Sequence, residues 1–377
     1  MKDAPKKPRE KKKRNRPLKV MVLTPPLDNS GGVGTLYTYA RECFPKSVEV
    51  TFVDTRGYFK SPWLSIFCLI RSGAKLTQAK ITGNVDVIHL NLGSRGSSLR
   101  KFTLMILCQW VLKIPCVVQI HSGQFINFYS SRSRPTRSIM IKLLNGNEKI
   151  LALGSVWRES LISIGCEPSK IIEFQMGVPD IKCSDEYVSN HYLPTQRDYV
   201  ELVFAGKLGA HKGLPSLFIA LGSPELQNVR LILLGPGNLS EWMQMAAVHG
   251  VLNKIAFLGS VEPSSVHGYI NYADAMILPS ESEGLPVVAL ETLSAERVVI
   301  STRVGSLSDF LSDGENVIFL EGNSPDEIRR KIVLFEKYLL NSRGLGIAQE
   351  GRRAWSEYFD SKKTTSTLSE IWHSAFL

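Results

Sequence analysis

The chain has 377 residues, of which 44% are hydrophobic and 21% charged, and its net charge is +10. This length exceeds what one ordinary hydrophobic core accommodates, so we expect two domains of about 150 to 190 residues each. The composition is that of a soluble globular protein. It excludes a membrane-spanning helix, because no apolar run approaches the ~18 residues that such a helix needs.

The basic charge is concentrated at the amino terminus. Residues 1–19 hold ten Lys or Arg and two acids, which leaves a net charge of +2 for the rest of the chain. Residues 1–17 contain three prolines and almost no apolar side chains, so we expect a disordered tail. It could be a solvated charge run, or it could attract an anionic membrane surface. Nucleic-acid binding is the third alternative, and we do not expect it.

The cysteines predict a reducing compartment. None forms a C-x-x-C pair or a zinc-type spacing, so we expect no metal site. The amino terminus also lacks the apolar central stretch of a signal peptide. We therefore expect a cytoplasmic protein with free thiols, peripheral to a membrane if the tail binds lipid. The six cysteines are Cys43, Cys68, Cys108, Cys116, Cys166 and Cys183.

Strand-like apolar runs alternate with helix-like stretches through the first half of the chain. This alternation predicts a parallel sheet with right-handed crossovers, in a first domain of residues 18–184. A polar stretch at residues 185–198 is the predicted linker. The predicted strands are Leu18–Leu23, Val48–Asp54, Val85–Leu90, Cys116–His121 and Ile150–Leu153.

A glycine-rich loop follows the first predicted strand. It reads Ser30-Gly31-Gly32-Val33-Gly34 and precedes a helix-like stretch. A dinucleotide fingerprint needs G-x-G-x-x-G, and the third glycine is absent here, so a dehydrogenase is not favoured. Backbone amides at a helix start suit an anion. A plain tight turn is the alternative.

Polar residues also follow two other strands of the first domain. His121 ends a predicted strand, a position where a lone histidine is more often structural than catalytic. Asn91 and the loop Gly93–Ser98, which includes Arg95, follow another strand end and are candidates to face a substrate.

The second half repeats the strand–helix alternation. It predicts a second domain of residues 199–355, followed by a C-terminal helix at 356–377 that we expect to pack back on the first domain. The fold class is therefore α/β, with two Rossmann-like domains facing a central cleft. The predicted strands are Tyr199–Ala205, Arg230–Leu234, Lys254–Leu258, Ala273–Leu278 and Val298–Ser301.

Two lysines follow the first strand of the second domain. Lys207 and Lys212 are five positions apart, with Gly209 and Gly213 interleaved. Two ammonium groups beside a flexible backbone suit a diphosphate leaving group. Two solvated lysines are the alternative. Further on, the run LILLGPGN ends a strand in a turn that contains Gly235.

The most informative pattern is a pair of acids eight positions apart, Glu283 and Glu291. The first follows an apolar strand, and the second lies about two turns away in a helix-like run. Gly284 suits a backbone that approaches a ligand closely. Carboxylates at this place in an open α/β sheet suit recognition of sugar and ribose hydroxyls. A chance pair of surface acids is the alternative.

The stretch PSESEGLPVVALE resembles the Glu-x7-Glu signature of the retaining glycosyltransferases of family four, which have the GT-B fold. The resemblance covers nearly all of residues 18–377 and is most specific in the second domain. It implies that Glu283 contacts the donor sugar and Glu291 the nucleotide ribose. It also implies that Lys212 neutralises the donor diphosphate. Lys207 stands where the family has an arginine, so the positive charge is kept but the bidentate geometry is not.

The same resemblance implies roles for residues around the cleft. His121 would lie near the donor sugar and the reaction centre. Gly31 and Gly32 would approach the donor phosphates and the acceptor. Gly284, Leu285 and Gly235 would belong to the donor site as well. Where the family has P-N-G-V, this chain has Gln-Met-Gly-Val at 175–178, so the asparagine of that motif is missing.

The expected activity is transfer of a sugar from a nucleotide diphosphate sugar to a glycan or lipid-linked acceptor, without a cofactor or metal. Lys212 and Lys207 would stabilise the charge that develops on the departing diphosphate. Alternatives are another GT-B nucleotide-sugar enzyme, such as an epimerase or a phosphorylase, and a nucleic-acid-binding protein that uses the basic tail.

Overall fold

A computed structural model describes residues 16–27, 31–55, 62–93, 96–121, 125–183 and 198–377. Most of the predicted tail, Arg95 and all but the last residue of the predicted linker lie outside these ranges. Among the helices of the described ranges, none combines the length and the apolar character needed to cross a bilayer.

The first domain is built on a six-stranded parallel sheet in the order β2-β1-β3-β4-β5-β6. Its inner strands are almost continuously apolar and buried, because helices cover both faces, whereas its two edge strands are partly exposed. They span Leu18–Thr24 (β1), Val48–Asp54 (β2), Val87–Leu92 (β3), Cys116–Ile120 (β4), Lys149–Ala152 (β5) and Ile171–Glu173 (β6).

Alternate residues of these strands serve two different cores. Val20 and Val22 pack on the side of the first helix, whereas Met21 and Leu23 pack on the opposite side. The helices are Gly32–Arg41 (α1), Pro62–Ile81 (α2), Gly96–Ile106 (α3, continued by a π-helical turn to Val111), Phe125–Ser130 (α4), Arg134–Asn145 (α5) and Ser155–Ser163 (α6).

The second domain has its own six-stranded parallel sheet, in the order β12-β11-β10-β7-β8-β9. Its strands are Val200–Ala205 (β7), Val229–Leu234 (β8), Ile255–Gly259 (β9), Ala275–Leu278 (β10), Val298–Thr302 (β11) and Ile318–Leu320 (β12). Its helices are Leu214–Leu221 (α7), Leu239–Val248 (α8), Pro263–Tyr272 (α9), Val287–Ser294 (α10), Leu307–Phe310 (α11), Pro325–Leu340 (α12) and Arg343–Ala354 (α13).

The last helix, Ser361–Phe376 (α14), returns to the first domain and packs against α1, β3 and β4. A π-helical turn, Trp355–Phe359, leads into it. Here the segment at the end of the first domain lies beside the segment that returns from the second domain. The Val178 amide donates to the Phe359 carbonyl at 2.8 Å, and the Ser361 amide donates to the Val178 carbonyl at 3.1 Å. The first domain is therefore assembled from both ends of the described chain.

Candidate active site

The predicted sugar-binding and diphosphate-binding residues lie together at the carboxyl end of the second sheet. Glu283 follows β10, and Lys212 ends a short 3-10 turn after β7. The Lys212 ammonium forms an ion pair with Glu283 Oε1, and the Ser280 hydroxyl donates to the same oxygen at 3.0 Å. Both side chains are mostly buried, so solvent screens this pair less than it screens a surface pair.

The loop that carries Glu283 is held by close backbone packing. Gly305 has φ +62°, and a Cβ there would lie 2.1 Å from the Gly284 carbonyl oxygen. From the other side, a Cβ on Gly284 would lie 2.5 Å from the His121 carbonyl oxygen. Glycine at these two positions lets the loop fit between β11 of its own domain and the end of β4 in the first domain.

Glu291 lies in α10 and makes a contact between the domains that the sequence did not predict. The Tyr39 hydroxyl, from α1, donates to Glu291 Oε1 at 2.6 Å. His267 Nε2 lies 2.8 Å from the Tyr39 oxygen and 3.5 Å from Glu291 Oε1. Burial, together with the neighbouring Glu291 carboxylate, raises the Tyr39 pKa well above its usual value. The phenol therefore keeps its proton and its role as donor to the carboxylate.

His121 lies at the end of β4 with Nε2 at 2.7 Å from Asn91 Oδ1. Burial, and then the nearby His89 and Lys101, lower the His121 pKa to about 3. The ring is therefore neutral at physiological pH. Because an amide oxygen only accepts hydrogen bonds, Nε2 carries the proton and Nδ1 is the lone-pair nitrogen.

A buried chain of hydrogen bonds connects Asn91 to the C-terminal helix. The Trp372 indole donates to His89 Nδ1 at 2.9 Å, and His89 Nε2 lies 3.1 Å from the Tyr37 oxygen. Tyr37 donates to Asn91 Oδ1 at 2.9 Å, and Asn91 Nδ2 donates to the Leu23 carbonyl at 3.3 Å. An indole only donates, so His89 Nδ1 is the acceptor and His89 Nε2 carries the proton. His89 Nε2 therefore donates to the Tyr37 oxygen, and Tyr37 donates to Asn91. Burial lowers the His89 pKa to about 3.

The expectation that Asn91 faces a substrate is wrong. Its side chain is buried and holds Tyr37 and His121 instead. Sequence reasoning also missed Tyr37, His89 and Trp372. Tyr39 and His267 were missed as well. They come from separate elements, and in the sequence they look like ordinary core or surface residues.

A cavity of about 190 Å³ between the domains brings four predicted residues together. These are Gly32, His121, Gly284 and Leu285. The remaining lining residues are Val33, Leu36, Gln119, Leu153 and Met176.

The other predicted site residues lie outside this cavity. Gly31 is the exposed residue before α1. Lys207 is exposed at the end of β7. Gly235 has φ +134°, and a Cβ there would lie 1.8 Å from the Gly206 carbonyl oxygen, so it packs against the strand end that leads to Lys207.

Two Rossmann-like domains that face a cleft are the GT-B arrangement, and a solved structure confirms this fold class. HepE from Anabaena, in complex with UDP and glucose, matches with a TM-score of 0.73 over 95% of this chain and 100% of that chain. The sequence identity is 16%, so the likeness shows a shared fold.

The second domain carries the match to a family model. Residues 193–354 match the model of the glycosyl transferases group 1, so this part of the chain is a glycosyltransferase domain of that family. The resemblance predicted from the Glu-x7-Glu spacing is thus confirmed for the second domain.

Two curated relatives show how far the similarity extends. An uncharacterised glycosyltransferase of Methanocaldococcus jannaschii is 26% identical over 250 residues, which is 62% of this chain and 64% of the relative. A lipopolysaccharide 1,2-N-acetylglucosaminetransferase of Salmonella typhimurium is 25% identical over 154 residues, which is 36% of this chain and 40% of the relative. The chain thus spans less than two thirds of the length of either relative.

Proposed function

We propose that the chain transfers a sugar from a nucleotide diphosphate sugar to a glycan or lipid-linked acceptor, with retention of anomeric configuration. The observation that carries this proposal is the Lys212–Glu283 pair beside a cavity lined by His121 and Gly284. A cation for a diphosphate and a carboxylate for sugar hydroxyls lie at one strand end, next to an enclosed space for the reacting sugar.

In this proposal the ion pair is the resting state of the donor site. A bound diphosphate would compete for the Lys212 ammonium and release Glu283 to accept hydrogen bonds from the donor sugar. As the bond to the diphosphate breaks, Lys212 would stabilise the charge that develops on the leaving oxygen. The exposed Lys207 would approach the same diphosphate, so no metal or cofactor is needed.

We assign Glu291 to the ribose. Tyr39 and His267 both contact Oε1, so Oε2 is the oxygen that we assign to a ribose hydroxyl. His121 is assigned to the sugar, with Nδ1 as the acceptor for a hydroxyl, because Nε2 is bound to Asn91. Gly31 and Gly32 would bring backbone toward the donor phosphates at the start of α1.

Two comparisons support the donor and acceptor classes. HepE was solved with UDP and glucose, and the Salmonella relative acts in lipopolysaccharide synthesis by its name. We infer a uridine nucleotide as the first donor to test and a role in polysaccharide synthesis. The basic tail, residues 1–17, supports a peripheral location at the cytoplasmic face of a membrane, because its charge attracts anionic lipid.

Donor binding and transfer test this proposal. Thermal unfolding should shift upward with UDP-sugars, since a ligand that binds the folded state stabilises it. Glu283→Gln and Lys212→Ala should each lower the rate of transfer to a saccharide acceptor by at least about 10²-fold. The anomeric coupling of the product in proton NMR should match that of the donor.

Glu281→Gln is the matched control, because this exposed acid lies two residues from Glu283 and the variant keeps the backbone amide, which donates to the His211 carbonyl at 3.0 Å. It should transfer at the parent rate. Unchanged transfer by the Glu283 and Lys212 variants would refute the assignment, and an inverted product would refute retention. An epimerised donor recovered without acceptor would favour the epimerase.

A further inference from the structure

The two halves of the chain carry opposite charge. Residues 20–183 hold nineteen Lys or Arg against ten Asp or Glu, whereas residues 184–377 hold sixteen against twenty-three. Within residues 56–147 there are thirteen basic residues and a single acid, Asp86. Asp86 is buried and paired with Arg16, so it does not offset the surface charge. The net charge of the chain beyond the tail is close to zero because the two halves nearly cancel, although the first domain is strongly basic.

Part of this positive charge lies on the outer surface formed by α2, α3 and α5. Helices α2, α3 and α5 lie on the same face of the first sheet, where α3 packs against both α2 and α5. None of the three contains an acidic residue. Exposed basic side chains of this surface are Arg71, Lys75, Lys80, Lys113, Arg134 and Lys142.

The same three helices expose large apolar side chains. Phe67 and Ile70 of α2 are 60% and 65% exposed, and Leu99 of α3 is 68% exposed. Trp110 and Val111 follow in the π-helical turn at 52% and 67%. Leu76 and Ala79 on the opposite side of α2 fill the core, so the exposed residues form a second apolar side of that helix. Side chains of this kind at neighbouring helix positions mark a surface that meets a partner.

We propose that the outer surface of α2, α3 and α5 docks on an anionic lipid bilayer. A bilayer satisfies both features at once, because its headgroups attract Lys and Arg while its acyl boundary takes up aromatic and aliphatic side chains. Lys142 lies 5.8 Å above the Trp110 ring, so a cation and an indole occupy the same level of this surface.

Two other occupants fit less well. A second copy of this chain would present the same basic surface, and like charges would repel. A nucleic acid would satisfy the cations through its phosphates but would leave Phe67, Ile70 and Val111 in water. Only a partner that is negatively charged at its surface and apolar just below it contacts both the cationic and the apolar side chains of these helices.

The docking surface also adjoins the candidate active site. Helices α2 and α3 begin after the carboxyl ends of β2 and β3, at the sheet edge where His121 follows β4. A docked chain would therefore present its cleft near the lipid headgroups. An acceptor held by a lipid anchor would reach the cleft from the same bilayer. This last step rests on the proposed transferase function, whereas the docking does not.

Vesicle binding by the full chain tests the docking. The protein should cosediment with vesicles of phosphatidylcholine mixed with phosphatidylglycerol, and far less with phosphatidylcholine alone. Added salt should weaken the binding, because it screens the cationic contacts. Arg71→Glu with Lys75→Glu, and separately Phe67→Ser with Ile70→Ser, should each weaken binding at least about tenfold.

Matched variants on the second domain control for general surface effects. Lys337→Glu reverses an exposed charge there, and Val248→Ser with Leu340→Ser removes exposed apolar side chains. These variants should bind vesicles like the parent. All variants should keep the parent unfolding temperature and its shift with UDP, which separates lost docking from lost folding or lost donor binding.

A second readout reports on the surface itself. Brominated phospholipid should quench part of the tryptophan fluorescence of the bound protein, and Trp110→Phe should reduce that quenching. Deleting residues 1–17 decides between the surface and the tail. The deletion variant should still bind anionic vesicles. Binding that disappears with the tail but survives the α2 variants would overturn the proposal, as would equal binding to both kinds of vesicle.

Discussion

Tyr39 shows how a single hydroxyl connects the two domains. It belongs to α1, yet it donates to Glu291 in α10. The carboxylate is buried, so losing this donor leaves a charge with fewer hydrogen bonds in a low-dielectric place.

We expect Tyr39→Phe to lower the free energy of unfolding by about 1.5–3 kcal/mol, the range for a hydrogen bond to a charged group. It should also weaken UDP binding, because Glu291 loses the contact that orients it. Urea denaturation and calorimetric titration measure the two effects. Tyr338→Phe, a half-buried tyrosine of the second domain, is the control and should change neither.

Comparing Gly305 with Gly250 separates two effects of adding a side chain: the cost of a left-handed backbone conformation and the cost of a steric clash. Its φ of +62° disfavours any side chain, and its missing Cβ leaves room for the Gly284 carbonyl. Gly250 has φ +69° with nothing within 4 Å of a Cβ, so it carries only the first cost.

Gly250→Ala should therefore destabilise the protein by about 1–2 kcal/mol. Gly305→Ala should destabilise it more, and it alone should reduce transfer, because the loop of Glu283 must move. Equal losses of stability and full activity in both variants would show that the contact with Gly284 does not position the loop.

The buried histidines give the stability a pH dependence. The pKa values of His89 and His121 lie at about 3 in the folded protein, below the ordinary value of about 6.5. Between these values the unfolded chain binds more protons than the folded one. Stability is therefore complete above about pH 6.5 and falls as the pH drops toward 3, by up to about 1.4 kcal/mol per pH unit for each histidine.

Urea denaturation at pH 7 and pH 5 measures this loss. His89→Asn should lower stability at pH 7 but lose less on acidification than the parent does. His249→Asn, at a half-buried position of the second domain, is the control and should keep the parent difference. An undiminished loss in the His89 variant would contradict the assignment.

Residues with a motif were predictable, and residues without one were not. Glu283, Glu291 and Lys212 stand at spacings that a sequence displays, and the structure places the first and the last in contact. Tyr39 and Trp372 reach the site from α1 and α14 only because the fold brings distant segments together. No local pattern carries that information.

At the scale of elements, the buried strands were predictable because their short apolar runs alternate regularly with longer helix-like stretches. The three-residue edge strands Ile171–Glu173 and Ile318–Leu320 were missed, because a run so short has no periodicity. The predicted start of β3 was two residues early. Val85 and Asp86 are buried, but the hydrogen-bonded pairing of β3 with β1 begins only at Val87.

One helix start depends on the other domain. Helix α6 begins at Ser155, whose amide donates to Asp309 Oδ2 at 2.8 Å and whose hydroxyl donates to Oδ1 at 3.0 Å. Asp309 lies in α11 of the second domain, so an acid from across the cleft acts as an N-cap for α6.

Asp309→Ala should lower the free energy of unfolding by about 1 kcal/mol, the usual effect of losing an N-cap. Hydrogen exchange should increase at the first turn of α6. Glu315→Ala, at an exposed position of the same domain, should leave both unchanged. Unchanged exchange at α6 in the Asp309 variant would show that this cap is not formed in solution.

At the scale of the whole molecule, the C-terminal helix completes the core of the first domain. Leu368 and Trp372 of α14 pack with Val20, Leu36 and Tyr37 in one cluster. Removing residues 361–377 should therefore uncover one face of the first sheet and leave the second sheet covered. In urea, the truncated chain should retain the unfolding transition of the second domain and lose that of the first. Two intact transitions would contradict this division.

The position of α14 also sets an order of events during synthesis. The six strands of the first sheet leave the ribosome early, but the helix that covers one of their faces emerges only after the second domain. The second domain can fold while that face is still open. His121 acquires its complete hydrogen-bonded support, through His89 and Trp372, only after the second domain has been synthesised. Protease digestion of ribosome-stalled chains should find the second domain protected before the first.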